Sequence, residues 1–147
     1  ALPLEIGHVG HERCLRYLCE RLVQTGHPQE IDYTSAGLGL SALGDAAKCG
    51  HAKCIQVLLH FRAAVDPRRK NGKTPLHEAA AAGYAECVRL LVDAGASIDV
   101  RSAEGEDGES YAAADWARFA GHTRIARELK SLQATAAFTK NVLKGDL

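Results

Sequence analysis

The chain has 147 residues, enough for one compact domain, and its 18 basic residues offset 18 acidic ones. Zero net charge leaves no electrostatic footprint for nucleic acid or an anionic membrane, and no apolar run approaches the length of a transmembrane helix. Five cysteines, an odd number, argue against a disulfide framework and for a reducing compartment.

The N-terminus, ALPLEIGHVGHERC, lacks the basic-then-apolar pattern of a signal peptide. There is no methionine, so either a leading segment has been removed by processing or the chain is an excerpt of a longer protein. The expected location is an intracellular reducing compartment. That means the cytoplasm, or an organelle interior after removal of a targeting peptide.

In chain order, the first expected element is a weakly marked helix over about Leu2 to His8. A turn at Gly10 follows, then a second helix carrying Cys14, Leu18 and Cys19. A long connection, QTGHPQEIDYTSAGLG, leads to a unit from Gly39 to Asp66. It has a helix opened by Ser41, a turn at Gly50, and a helix with Cys54, Ile55, Val57 and Leu58. Arg68, Arg69, Lys70 and Lys73 make the next connection basic.

The clearest stretch is Asn71 to Asp99. Thr74 is an N-cap, with Pro75 at the first helical position, where its missing N–H costs nothing. Leu76, Ala79 and Ala80 give a short helix with an apolar inner face, ended by Gly83 in a left-handed conformation. A second helix runs from about Ala85 to Asp93, with Cys87, Val88, Leu90 and Leu91 at helical spacing. Each helix is too short to be stable alone.

After RSAEGEDGES, the residues Tyr111 to Leu132 read as a last unit. The tail, Gln133 to Leu147, does not repeat, and Phe138, Val142, Leu143 and Leu147 give it an apolar stripe. Glycine sets the register. Gly50 and Gly83 hold the same place in successive units. Gly121 follows Gly83, and Gly10 precedes Gly50, at somewhat longer intervals, with the excess in the connecting turns.

TPLH, Ala79-Ala80, Gly83, Leu90-Leu91 and the GASID ending resemble the ankyrin repeat, whose period of about 33 residues is the spacing of Gly50 and Gly83. The resemblance implies an all-α solenoid of stacked helix-turn-helix units with projecting turn fingers. Four repeats are expected, at about 1–38, 39–71, 72–104 and 105–132, the first truncated or divergent. The tail, 133–147, is a capping or anchoring segment. It is either a third helix covering the end of the array or an anchor for a partner through Phe138, Val142 and Leu143. Gly44 stands where the motif has histidine, and Arg62 where it has glycine.

The resemblance also assigns roles. Thr74, Pro75, His77, Gly83 and Trp116 are structural, and His77 ties adjacent repeats by hydrogen bonds. Cys14, Cys54 and Cys87 share one core position, and Cys19 fills another. His11, His51 and His122 share the position after the turn glycine. CGHAKC and HVGHERC therefore read as structure rather than as zinc sites, although thiolate and imidazole are zinc ligands. Cys49 is the exception, an expected accessible thiol. Glu78 and Asp45 fall on equivalent positions, as groove-edge charges.

The expected partner surface is the concave groove and the finger tips. By register the groove holds His8 and Val9, Lys48 and Cys49, Ala81 and Ala82, Phe119 and Ala120. Phe119 is either a binding anchor or is covered by the tail. The first finger contributes Ile31 and Tyr33. The second contributes Arg68, Arg69, Lys70 and Lys73. The third contributes Glu104, Glu106, Asp107 and Glu109. The basic and acidic fingers orient a partner or pair with each other.

No nucleophile–base constellation and no phosphate-cradling glycine loop is present. The expected function is a non-catalytic protein-binding module: a scaffold, adaptor or accessory subunit of a larger assembly. It binds one or more proteins, with no cofactor, metal, nucleic acid or small-molecule substrate. Two other readings are a regulatory or targeting domain of a larger enzyme, and a redox or metal sensor built on Cys49.

Overall fold

The structure is a computed structural model and describes residues 12–35, 37, 39–103 and 107–145. The expected helix over Leu2 to His8, the turn at Gly10, and His8, Val9, His11, Glu104, Glu106 and Leu147 lie outside the described residues. Seven α-helices are described: α1 (Glu12–Gln24), α2 (Ala42–Cys49), α3 (Ala52–His60), α4 (Pro75–Ala82), α5 (Ala85–Asp93), α6 (Ala113–Phe119) and α7 (Thr123–Leu143). A 3-10 turn, Pro28–Asp32, follows α1.

The helices form two layers. The short helices α2, α4 and α6 stack in one, each against its neighbour, and α1, α3 and α5 stack in the other. Alanines make the first layer possible. Ala46, Ala47, Ala79, Ala80, Ala113, Ala114 and Ala117 are buried, so the helix axes approach closely. Leu43, Leu76, Ile55, Leu58, Val88, Leu91 and Leu129 fill the space between layers. Burying each such side chain stabilises by about 1.5–3 kcal/mol.

Local chemistry starts each unit. Ser41 Oγ accepts the Gly44 N–H at 3.1 Å, and Thr74 and His77 form a capping box at the head of α4. Gly50 and Gly83 end α2 and α4 at φ 78° and 85°. Arg62 adopts φ 61° after α3, in the place that Gly95 takes after α5.

Carboxylates bind the units together along the outer edge. Asp32 Oδ1 accepts the Ala64 N–H at 2.8 Å. One repeat on, Asp66 accepts the Ser97 N–H at 3.0 Å. The last unit breaks this pattern, because its second helix does not turn. The tail expected as a separate third helix is instead the continuation of α7, one 21-residue rod. Gln133 Nε2 donates to the Ile98 carbonyl at 3.2 Å. Beyond it, residues 134–145 are all exposed. Side chains this exposed do not cover the end of the array.

Cys54, Cys87 and Cys19 are buried as the register requires, but Cys14 is exposed. Cys54 faces back toward α1, where Glu12 acts on it. No helix among the described residues is long and apolar enough to cross a membrane.

Candidate partner-binding surface

The face expected to form the groove runs across the stacked helices α2, α4 and α6. Lys48, Ala82 and Ala120 are exposed along it, and Cys49 and Ala81 are half-buried. Phe119 ends the floor and is 54 % exposed, so α7 does not cover it. Three rings meet here edge to face. Tyr111 lies 4.9 Å from Phe119 and 6.2 Å from Trp116, and Trp116 lies 6.4 Å from Phe119. This is the favoured aromatic geometry, and it holds Phe119 in one orientation. Arg118 lies 5.1 Å from the Phe119 ring centre.

Several expected partner contacts are internal. Ile31 is 2 % exposed. The 3-10 turn folds the first finger back so that this side chain joins the core, leaving Tyr33 exposed. Arg69 is held in an ion pair with Glu78. Glu78 is itself buried, not at the groove edge. A buried carboxylate needs a partner, and Arg69 is the one it finds. Lys73 sits with Nζ 3.6 Å from the Trp116 ring centre, a cation–π contact between the second finger and the last repeat. Burial chiefly lowers the Lys73 pKa, Arg69 and Lys48 lower it further, and Glu78 opposes.

Arg68 and Lys70 remain exposed on the second finger, and Asp107 and Glu109 on the third. The two fingers are joined, but through backbone. Arg68 Nη2 donates to the Arg101 carbonyl at 2.6 Å, and the Ala103 N–H donates to the Asn71 carbonyl at 2.8 Å. Among the described residues no salt bridge joins the basic finger to the acidic one. Asp107 is engaged locally, accepting the Tyr111 hydroxyl at 2.5 Å. That bond lowers the Asp107 pKa and raises that of Tyr111.

His77 links two repeats. Its Nδ1 accepts the Thr74 N–H at 3.1 Å, and Nε2 lies 3.2 Å from the Tyr111 carbonyl, to which it donates. The pair of bonds fixes the neutral ring with its proton on Nε2. Pro75 and Gly83 bound this helix.

Burial disfavours the thiolate at four of the cysteines. Burial pushes Cys19 and Cys87 up to about 11. Burial and then the Asp45 carboxylate raise Cys49 as well, the reverse of an activated thiolate. Among the described residues no group of three or more His, Cys, Asp or Glu is placed to hold a metal ion.

The repeat register does not single out Tyr111, which supports Phe119, packs on Trp116 and takes the His77 bond. One signal in the sequence does point to it. Three of the eight aromatic residues fall within nine positions, with Trp116 and Phe119 on one helix face.

Stacked helix pairs with tied fingers define a helical-repeat solenoid. A family model described as ankyrin repeats (3 copies) matches residues 8–102. The chain belongs to the ankyrin-repeat family. The match ends before α6, yet α6 stacks on α4 as α4 does on α2. No curated protein matches the chain.

Proposed function

We propose that this chain is a non-catalytic scaffold, adaptor or accessory subunit that holds a protein segment along its concave face. The observation that carries the reading is Phe119. It is a large apolar side chain left more than half exposed, yet held by two neighbouring rings. Pre-ordered aromatic side chains in such places dominate binding energy. Ala81, Ala82 and Ala120 leave room for a partner to approach the floor closely. Arg68 and Lys70 on one finger, with Asp107 and Glu109 on the next, set its direction. Ankyrin repeats in general mediate protein–protein interaction, which supports the class. Five thiols suit a reducing compartment inside the cell.

The test is affinity purification from the native source, with the wild-type chain beside Phe119→Ala, Arg68→Glu/Lys70→Glu and Asp107→Lys/Glu109→Lys. The expected result is loss of the same partner with Phe119→Ala and with at least one charge reversal. If what co-purifies is unchanged in all three, the concave-face reading fails.

A further inference from the structure

Zero net charge conceals a local segregation. From Leu129 to Gly145 the chain carries Lys130, Lys140 and Lys144 and no Asp or Glu. All three lysines are exposed. Four exposed large apolar side chains share the segment, Leu132, Phe138, Val142 and Leu143, between 38 % and 82 % exposed, while Leu129 is buried.

Their arrangement around the helix matters more than their number. Successive α-helical residues turn by about 100°. On that wheel Phe138, Val142, Leu132 and Leu143 fall within one arc of roughly 140°. Only Ser131, Thr135 and Thr139 lie among them. Lys130, Lys140 and Lys144, with Gln133, Ala137 and Asn141, take a separate arc of roughly 100°. A helix seated in a protein groove reads as a narrow seam at i, i+3, i+4 and i+7. A wide apolar arc whose charged residues are all lysine is the layout of a helix lying in a membrane–water interface. Lysine stems can lie along such an interface while their ammonium groups reach phosphate. A helix end without tertiary packing is also marginal in water, so a surface that covers it would stabilise it.

We propose that the projecting end of α7 docks on an anionic lipid surface. Phe138, Val142 and Leu143 enter the headgroup layer, and Lys130, Lys140 and Lys144 meet the lipid charges. The docking is weak, reversible and salt-sensitive, because three basic and three apolar side chains support no more. It is independent of the concave face.

The test is co-sedimentation of the whole chain with vesicles of phosphatidylcholine alone or mixed with phosphatidylserine. Expected is binding to the mixed vesicles only, reversed by salt. Lys140→Glu/Lys144→Glu and Phe138→Ser/Leu143→Ser should each weaken it at least tenfold. Thermal melting checks that both variants remain folded. Equal binding to both vesicle types overturns the proposal, as does binding that neither variant changes. So does absence of vesicle binding, and if it comes with tight, Lys140-dependent capture by polyglutamate, the segment is a site for an acidic protein instead.

Discussion

Gly83 and His122 touch so closely that no side chain fits between them. A Cβ on Gly83 would lie 2.4 Å from Cε1 of the His122 ring. Gly50 stands in the same relation to Tyr84, at 2.7 Å. Tyr84, which follows Gly83, thus covers Gly50, and His122, which follows Gly121, covers Gly83. Gly121 has the same backbone, φ 86°, but nothing lies within 4 Å of its would-be Cβ.

The pair separates two costs. Gly83→Ala carries both left-handed strain and a ring collision, and should destabilise by about 2–5 kcal/mol. Gly121→Ala carries the strain alone, about 1–2 kcal/mol. Urea unfolding of the two variants measures the difference. Equal losses would remove the ring ladder as a source of stability.

Arg62 offers the reverse change. It holds a left-handed conformation that costs a residue with a Cβ roughly 1–2 kcal/mol, while glycine adds about 0.5–1 kcal/mol of backbone entropy to lose on folding. Arg62→Gly should therefore raise stability by about 0.5–1 kcal/mol, read as a higher urea midpoint at unchanged m-value.

His77 makes stability depend on pH. Burial lowers its pKa, outweighing its bonds to the Tyr111 and Val100 backbone. The unfolded chain therefore binds a proton more readily than the folded one, and stability rises with pH through that interval. It is fully present above about 6.5, the ordinary histidine value, and declines as pH falls from there toward the folded value. His77→Gln should cost about 1–3 kcal/mol at neutral pH and flatten this decline. Urea melts at neutral and mildly acidic pH give both numbers.

Much of the fold is legible in the sequence because glycine, the capping residues and the alanine pairs act locally, and one repeat later they act again. What escapes the register acts across it. Ile31 reads as a finger residue until the 3-10 turn buries it. Arg69 reads as a basic tip, but Glu78 on the following helix needs a cation, and no spacing rule pairs a loop with a helix interior. The tail misleads for another reason. Its apolar stripe is compatible with covering the stack, but an uninterrupted helical backbone cannot fold back. Of the residues expected to meet a partner, Phe119 is exposed where the register puts it, whereas Arg69 and Lys73 make contacts within the fold.

Trp116 and Phe119 should respond differently to truncation. Trp116→Ala removes the Lys73 contact and two ring contacts, and should cost about 2–4 kcal/mol of stability. Phe119→Ala should cost no more than about 1.5 kcal/mol, with its main effect on partner capture. Chemical denaturation of the two variants decides the order.

Ending the chain after Gln133 should change stability by less than about 0.5 kcal/mol, because residues 134–145 are exposed. A loss several times larger in thermal or urea melts would restore the tail to a capping role.

The unbroken course of α7 through Gln133 makes the segment a spacer with a phase. Ten residues from Ala134 to Leu143 carry the tip about 15 Å beyond the last tie to the stack. Whatever grips the tip therefore also sets the distance and heading of the concave face. One residue inserted after Gln133 would swing the tip by about 100°, whereas four would lengthen the spacer by about 6 Å and return it to within about 40° of its original bearing.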